Sequence, residues 1–284
     1  MSNVTSQTAN SAQLGYWNET VGHSWVQYQA QLDRQLEPLG LEGIRVLNPS
    51  AGERILDVGC GCGQTSLVLA DYVGASGGVT GVDISAPMLE VARAQRASEG
   101  AARPSYLECD AQTDALGEGA FDAIYSRFGV MFFSDPVAAF KNLRRALKPK
   151  GRMTFVCWRP FQDNLVMKVA VEAARPLLPP PAPVDPTAPG PFAFADAERV
   201  QSILTQAGFT EISHQPFDAN IGGHALDQTV ELNVRVGPLT GAMMERPDLL
   251  PVVKDALKSA LSAYDTPNGV LLPAAVWIVS AKNT

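Results

Sequence analysis

Eleven residues, Arg54 to Gln64, restrict the fold of this chain more than any other stretch: Arg-Ile-Leu-Asp-Val-Gly-Cys-Gly-Cys-Gly-Gln. A short apolar run suited to a buried strand meets a carboxylate at Asp57. Glycines then stand at alternate positions, Gly59, Gly61 and Gly63, before a helix predicted over about Gln64 to Tyr72. Alternate glycines let the backbone turn sharply and bring bare main chain against a ligand. The helix that follows aims its unpaired N–H groups at the same place. A dinucleotide turn would need Gly-x-Gly-x-x-Gly, and that pattern fails here because its third glycine falls on Gln64.

The segments downstream repeat the theme. Val79-Thr80-Gly81-Val82-Asp83 reads as a second strand ending in a carboxylate, and two side-by-side acceptor oxygens suit the paired hydroxyls of a ribose. Ser105 to Asp110 ends the same way, and Phe121-Asp122 leads into a strand over Ala123 to Ser126. With the segment Asp135-Pro136 and Lys148-Pro149-Lys150-Gly151, this wording resembles the class I S-adenosylmethionine (SAM) dependent methyltransferases. It is closest to the branch that holds the ubiquinone/menaquinone-biosynthesis C-methyltransferases and many small-molecule enzymes. The resemblance spans roughly residues 45 to 160.

That likeness implies SAM as cofactor and a set of contacts. Gly59, Cys60, Gly61 and Gly63 would approach the methionine part, with Asp57 ordering the amino group and the turn. Asp83 and Ile84 would serve the ribose, Met88 would lie beside the adenine, and Asp110 with Ala111 would read its amino group. Ser126 and Arg127 would stand near the methyl donor. In this branch histidines often follow the fourth strand, whereas Gly129-Val130-Met131-Phe132-Phe133 stands there in this chain and implies an apolar wall. Trp17, Tyr28, Met131, Phe132 and Trp158 are the candidates for acceptor contacts. Aromatics before residue 35 have two readings, packing on the sheet edge or lying near the sulfonium, where cation–π attraction helps. The catalytic base is open. His23, His214 and His224 are the three histidines of the chain and its weak candidates, and an acidic acceptor needs none of them.

Composition narrows the class. The chain has 284 residues, 46% of them hydrophobic and 18% charged, enough for a large buried core. No apolar run approaches the roughly 18 residues of a membrane span, and the start lacks a signal-peptide core, so a cytoplasmic protein is expected. A net charge of −7 without a basic cluster argues against nucleic acid. Cys60, Cys62, Cys109 and Cys157 read as small reduced hydrophobes, and no ligand set for a metal stands at the right spacing.

The expected architecture is α/β: a Rossmann-like, doubly wound, mostly parallel seven-stranded sheet, with N-terminal helices and a helical, proline-rich cap. Residues 1–10 are expected to be disordered and 1–48 to form a helical lid, with one helix to about Gln35 and another from Leu36. The core would span 49–158, 196–217 and 267–284. Insertions 159–195, which holds the proline-rich run 176–191, and 218–266, with helix over 227–264, would rise at the carboxyl edge of the sheet. The expected activity is methyl transfer from SAM to a small, largely apolar or aromatic acceptor at O, N or C by in-line displacement, in a monomer or homodimer. The rivals are a SAM-binding regulator without catalysis and a nicotinamide-dependent oxidoreductase, the latter disfavoured by Gln64, Asp57 and Asp110.

Overall fold

A computed structural model describes residues 10–180 and 185–284. The elements over those residues are helices α1 (Ser11–Asn18), α2 (Thr20–Gln27) and α3 (Gln29–Leu47), then β1 (Arg54–Val58), α4 (Gln64–Val73), β2 (Gly78–Asp83), α5 (Ala86–Ala94), β3 (Ser105–Glu108) and β4 (Phe121–Arg127). They continue as α6 (Pro136–Ala146), β5 (Leu147–Trp158), α7 (Leu165–Ala174), α8 (Ala197–Gln206), β6 (Thr210–His224), α9 (Leu226–Arg235), α10 (Thr240–Glu245), α11 (Leu250–Leu261), β7 (Asp265–Thr266) and β8 (Gly269–Lys282).

Seven strands run β3-β2-β1-β4-β5-β8-β6, and the two-residue β7 pairs with β8 beside this path, so the sheet has eight strands rather than seven. From β3 to β5 every pairing is parallel, while β8 and β6 run antiparallel. Strand order turns at β1, flanked by β2 and β4, which opens a crevice beyond the carboxyl ends of β1 and β4. The interior strands are apolar on both faces, with Ile55, Leu56, Ile124 and Phe155 fully buried, as a sheet covered by helices on both sides requires.

Three elements differ from the sequence reading. The N-terminal helix breaks at Glu19 and Tyr28, and α3 then runs unbroken through Pro38. An interior proline costs about 3 kcal/mol, but Leu32, Leu36, Leu39, Ile44 and Leu47 bury one face of α3 and outweigh it. Asn10 belongs to the stretch read as disordered, yet it is buried, while residues 1–9 lie outside the described part. Strand β6 continues seven residues beyond the expected end at Phe217, pairing Asp218 through His224 with β8 back to Val270. Gly222 and Gly223, at φ of 122° and 77°, form an irregularity inside this two-stranded arm. The proline-rich run does carry irregular backbone where it is described, and Asp196 caps α8 as the sequence suggests, its Oδ1 accepting from Glu198 N at 2.9 Å.

Helix α3 packs tightly on the sheet through two glycines. The Tyr125 hydroxyl donates to the Gly40 carbonyl at 2.8 Å. A Cβ on Gly43 would stand 2.6 Å from Val156 Cγ2 and 3.1 Å from the Tyr125 ring. Gly43→Val should therefore lower the urea midpoint, a loss of roughly 1–3 kcal/mol for overpacking a rigid interface. An unchanged midpoint would show that α3 can step away from the sheet without cost.

Candidate active site

The turn after β1 is built from backbone approaches that side chains would block. Gly59 (φ 68°) lies so close to the segment after β4 that a Cβ on it would stand 2.7 Å from Gly129 Cα. Behind this turn, Asp57 is fully buried and its Oδ2 accepts from Thr65 Oγ1 at 2.7 Å and Ser66 Oγ at 2.6 Å, tying β1 to the first turn of α4. Its Oδ1 has no partner among the described residues. Burial pushes its carboxyl up to about 6, against the pull of those two hydroxyls. Across the turn, Asp83 Oδ2 accepts from Gly61 N at 2.8 Å and Oδ1 from Ser85 N at 2.9 Å. Each oxygen keeps a lone pair for a further donor.

These groups surround a cavity of about 110 Å³ at the crevice. Its walls include Gly59, Gly61, Asp83, Ile84, Met88, Asp110, Ala111 and Arg127, eight of the residues singled out for the cofactor, together with Trp17 and Phe132. The wall residues that the sequence reading did not single out are Asn10, Gln13, Val58, Val82, Cys109 and Phe128, while Gly129 and Phe133 belong to the stretch it read as an apolar wall and Trp25 to the N-terminal aromatics. Asn10 donates from Nδ2 to Asp110 Oδ2 at 2.8 Å, across 100 residues of chain, which no local pattern signals. A glycine just after β4, at position 129, is what a close approach to Gly59 requires. The N-terminal helices are clamped to the same edge. Ser85 Oγ donates to the Trp17 carbonyl at 2.8 Å, Asn18 Nδ2 to the Ile84 carbonyl at 2.7 Å, and Ala86 N to Asn18 Oδ1 at 2.9 Å.

Four expected cofactor residues stand elsewhere. Asp57 lies behind the turn, and Gly63 faces the Tyr106 hydroxyl and Ala92. Ser126 spends its hydroxyl on the Val58 carbonyl at 2.7 Å, holding β4 to β1. Cys60 lines a smaller cavity of about 50 Å³ with Cys62, Asp33, Thr65 and Arg127. There Arg127 donates from Nη1 to Gln64 Oε1 and pairs at 3.6 Å with Asp33, whose carboxyl burial pushes upward.

A third and larger cavity, about 360 Å³, adjoins these. Trp17, Trp25 and Phe128 line it as well as the crevice. Met131 and Trp158 line it too, Trp158 stacked on Phe128 with ring centroids 4.3 Å apart. Phe128 has φ 63°, a conformation that an aromatic residue adopts only under constraint, here held by its N–H on the Val156 carbonyl at 3.0 Å. Tyr28 lines none of the three cavities, nor does any histidine. His23 is exposed, His214 sits edge-on to Trp277, and the buried His224 holds the Gln31 carbonyl at 3.0 Å. No Asp, Glu, Lys, Arg or His lines the large cavity among the described residues.

SAM fits the crevice by its donor set: an unprotected glycine backbone, a buried carboxylate with acceptor capacity for paired hydroxyls, and apolar Ile84 and Met88 beside them. The comparisons agree. Residues 55–151 match the family described as "Methyltransferase domain". Demethylmenaquinone methyltransferase of Clavibacter sepedonicus is 32% identical over 186 residues, 62% of this chain and 74% of that one. Aklanonic acid methyltransferase DauC of a Streptomyces species (strain C5) is 34% identical over 118 residues, 42% of this chain, which thus spans about half, 54%, of that relative. The solved YcgJ protein of Bacillus subtilis has a TM-score of 0.56 over 86% of this chain and 97% of its own at 20% identity, a likeness of fold alone. This chain belongs to the class I SAM-dependent methyltransferases, and SAM is its cofactor. A nicotinamide chemistry is thereby set aside.

The buried Asp57 gives a pH signature. Its folded pKa, about 6, lies above the ordinary 3.8, so the folded state holds the proton more tightly and this group's contribution to stability is lost as pH rises through that window. Asp57→Asn keeps an acceptor for Thr65 and Ser66. In urea unfolding of the cofactor-free protein, the variant should gain on wild type by up to about 3 kcal/mol between pH 4 and pH 7. A pH-independent difference would show that Asp57 is charged throughout.

Proposed function

We propose that the enzyme methylates an uncharged, largely apolar and ring-bearing acceptor held in the 360 Å³ cavity, with α1–α3 as a lid and segments 159–195 and 218–266 as a cap. The observation that carries this is the lining of that cavity. Among the described residues it is without charged side chains, and it touches the crevice through Trp17, Trp25 and Phe128. Val166, Met167 and Phe192 come from the first cap segment, and Thr229, Leu232 and Asn233 from the second. A charged metabolite would lose its hydration there with nothing in return. An aromatic body gains roughly 25 cal/mol per Å² of apolar surface buried. The similar enzyme named for demethylmenaquinone, an uncharged quinone-type ring compound, fits such an acceptor. Four unpaired cysteines suit a reducing cytoplasm; no helix among the described residues is long and apolar enough to cross a membrane.

Bound SAM supplies a methyl group on a sulfonium, an electrophile that loses its charge on transfer. The chain's share is orientation and exclusion of water. Phe128, which borders both cavities, stacks on Trp158 in the large one, and Trp17 and Phe132, edge to face at 5.1 Å, close the crevice. Because no histidine or carboxylate among the described residues lines the acceptor cavity, the acceptor's own acidity frees its nucleophile and the proton passes to water.

Two measurements test this. In a screen read by S-adenosylhomocysteine release, turnover should be confined to uncharged aromatic or polycyclic acceptors with an acidic hydroxyl or its conjugate carbon; a preference for highly charged metabolites would overturn the reading. The pH dependence of kcat/KM should follow the acceptor. Two acceptors whose hydroxyl pKa values differ by about 2 should show inflections displaced by about the same amount. His23→Ala, His214→Ala and His224→Ala should each stay well short of the roughly 100-fold loss that removing a general base brings.

The cofactor contacts give a separate expectation. Asp83→Ala removes both a wall carboxylate and the partner of Gly61 N, so calorimetry should show S-adenosylhomocysteine binding weakened by about 1.5–3 kcal/mol. Unchanged affinity would remove Asp83 from the cofactor site.

A further inference from the structure

The large cavity is apolar but not featureless, and the hydrogen-bonding state of its polar walls is uneven. Thr240 Oγ1 donates to the Gly237 carbonyl at 2.8 Å, and Thr229 Oγ1 reaches the carbonyls of Ala225 and His224 at 3.2 and 3.4 Å. Trp17 Nε1 donates to Gln13 Oε1 at 3.2 Å. Two amides differ. Asn233, buried on α9, donates from Nδ2 to the Thr229 carbonyl at 2.9 Å. A carbonyl can only accept, so the nitrogen must face Thr229, and Oδ1 is left without a protein partner among the described residues. Gln35, half-buried on α3, makes no hydrogen bond through its amide to any described residue.

Asn233 Oδ1 is not among the fully buried unpartnered atoms and opens onto the cavity, so an acceptor that fills the cavity and excludes water leaves it unpaired unless the acceptor brings a donor. We propose that Asn233 and Gln35 are the specificity-determining residues of the acceptor site. Asn233 Oδ1 accepts a hydrogen bond from a hydroxyl or N–H of the acceptor, while Gln35 supplies an amide that can donate or accept. The enzyme thereby selects a neutral ring system carrying a hydrogen-bond donor over the same ring without one. This rests on the large cavity being the acceptor site. The asymmetry of the two amides sharpens it: an acceptor that offers only carbonyl or ether oxygens satisfies Gln35 and leaves Asn233 Oδ1 unpaired. Sites built to bond a polar group reject the analogue lacking it far more strongly than apolar pockets discriminate by size.

The test uses two probes with the same rings, 1-naphthol and naphthalene, in equilibrium dialysis against the full chain saturated with S-adenosylhomocysteine. Burial alone favours naphthalene, the more hydrophobic of the two, so a preference for 1-naphthol reports polar anchoring. Wild type should prefer 1-naphthol by about 10-fold or more. Asn233→Leu should abolish the preference and Gln35→Leu should reduce it, with naphthalene affinity within about twofold of wild type and S-adenosylhomocysteine affinity unchanged. Gln35→Leu breaks no hydrogen bond, so it carries the test even if Asn233→Leu does not fold. No preference in wild type, or the same preference in the folded variants, overturns the proposal. Leu232→Trp, which fills the cavity, separates the two levels. If it excludes both probes while the anchor variants keep the preference, only the anchors are wrong. If both probes bind Leu232→Trp as they bind wild type, the cavity is not where ring compounds bind, and the acceptor reading falls with the anchors.

Discussion

The site depends on one backbone-to-backbone approach, that of Gly59 to Gly129. At the point where the strand order turns, β1 and β4 end side by side. Each is followed by a glycine whose missing Cβ would collide with the other: Gly59 at 2.7 Å from Gly129 Cα, and Gly129 at 2.7 Å from the Val58 carbonyl. With that approach in place, the chain leaves β1 in a left-handed turn, places Gly61 N–H on Asp83, and delivers Thr65 and Ser66 to the buried Asp57. On the other side it sets Phe128 and Phe132 against the crevice. The carboxylates hold a shape that the glycines make possible. Asp57 does this out of reach of solvent and at an electrostatic cost, which is why its proton is held so late.

Much of the nucleotide-binding half was legible because its signals are local. Alternating glycines, strand-end aspartates and the Asp135-Pro136 helix start are short-range statements about backbone conformation, and the structure realises them within a residue or two. Ser126 shows the limit of that reading. Its position after β4 is right, but a buried hydroxyl takes the nearest unpaired carbonyl, here that of Val58, and is not available to a ligand. The acceptor half was far less legible. Its cavity is assembled from α1–α3, the segment after β4, α7, the proline-rich run and α9, joined by contacts that skip a hundred residues or more. Trp25, Phe128 and Asn233 carry no pattern in sequence that separates them from ordinary core residues. The β6 arm escaped for a related reason: Gly222-Gly223 is a stop signal locally, and only pairing with β8 overrides it.

The electrostatic division between the two halves follows from the same layout. The crevice side holds Asp83, Asp110 and Arg127, each with a hydrogen-bond or ion-pair partner. Among the described residues the large cavity is lined by neutral groups alone, so a charge entering it would meet no counter-ion from them. Trp17 closes the crevice against Phe132 and forms part of the cavity wall. Its carbonyl accepts from Ser85 Oγ, and Ser85 N in turn donates to Asp83, so this wall is tied to a carboxylate that lines the crevice.

The strained backbone at Phe128 also sets which lineages this protein could found. Of the 25 residues around the large cavity, only Trp17, Trp25 and Phe128 also border the cofactor crevice. At φ 63° a β-branched side chain is all but barred from position 128, whereas Met131, Met167 and Leu232 carry no such restriction. Drift in the shape of the large cavity therefore has a fixed pivot and free walls. Descendants of this gene can re-cut that cavity one wall at a time while the crevice beside it passes unchanged from one to the next.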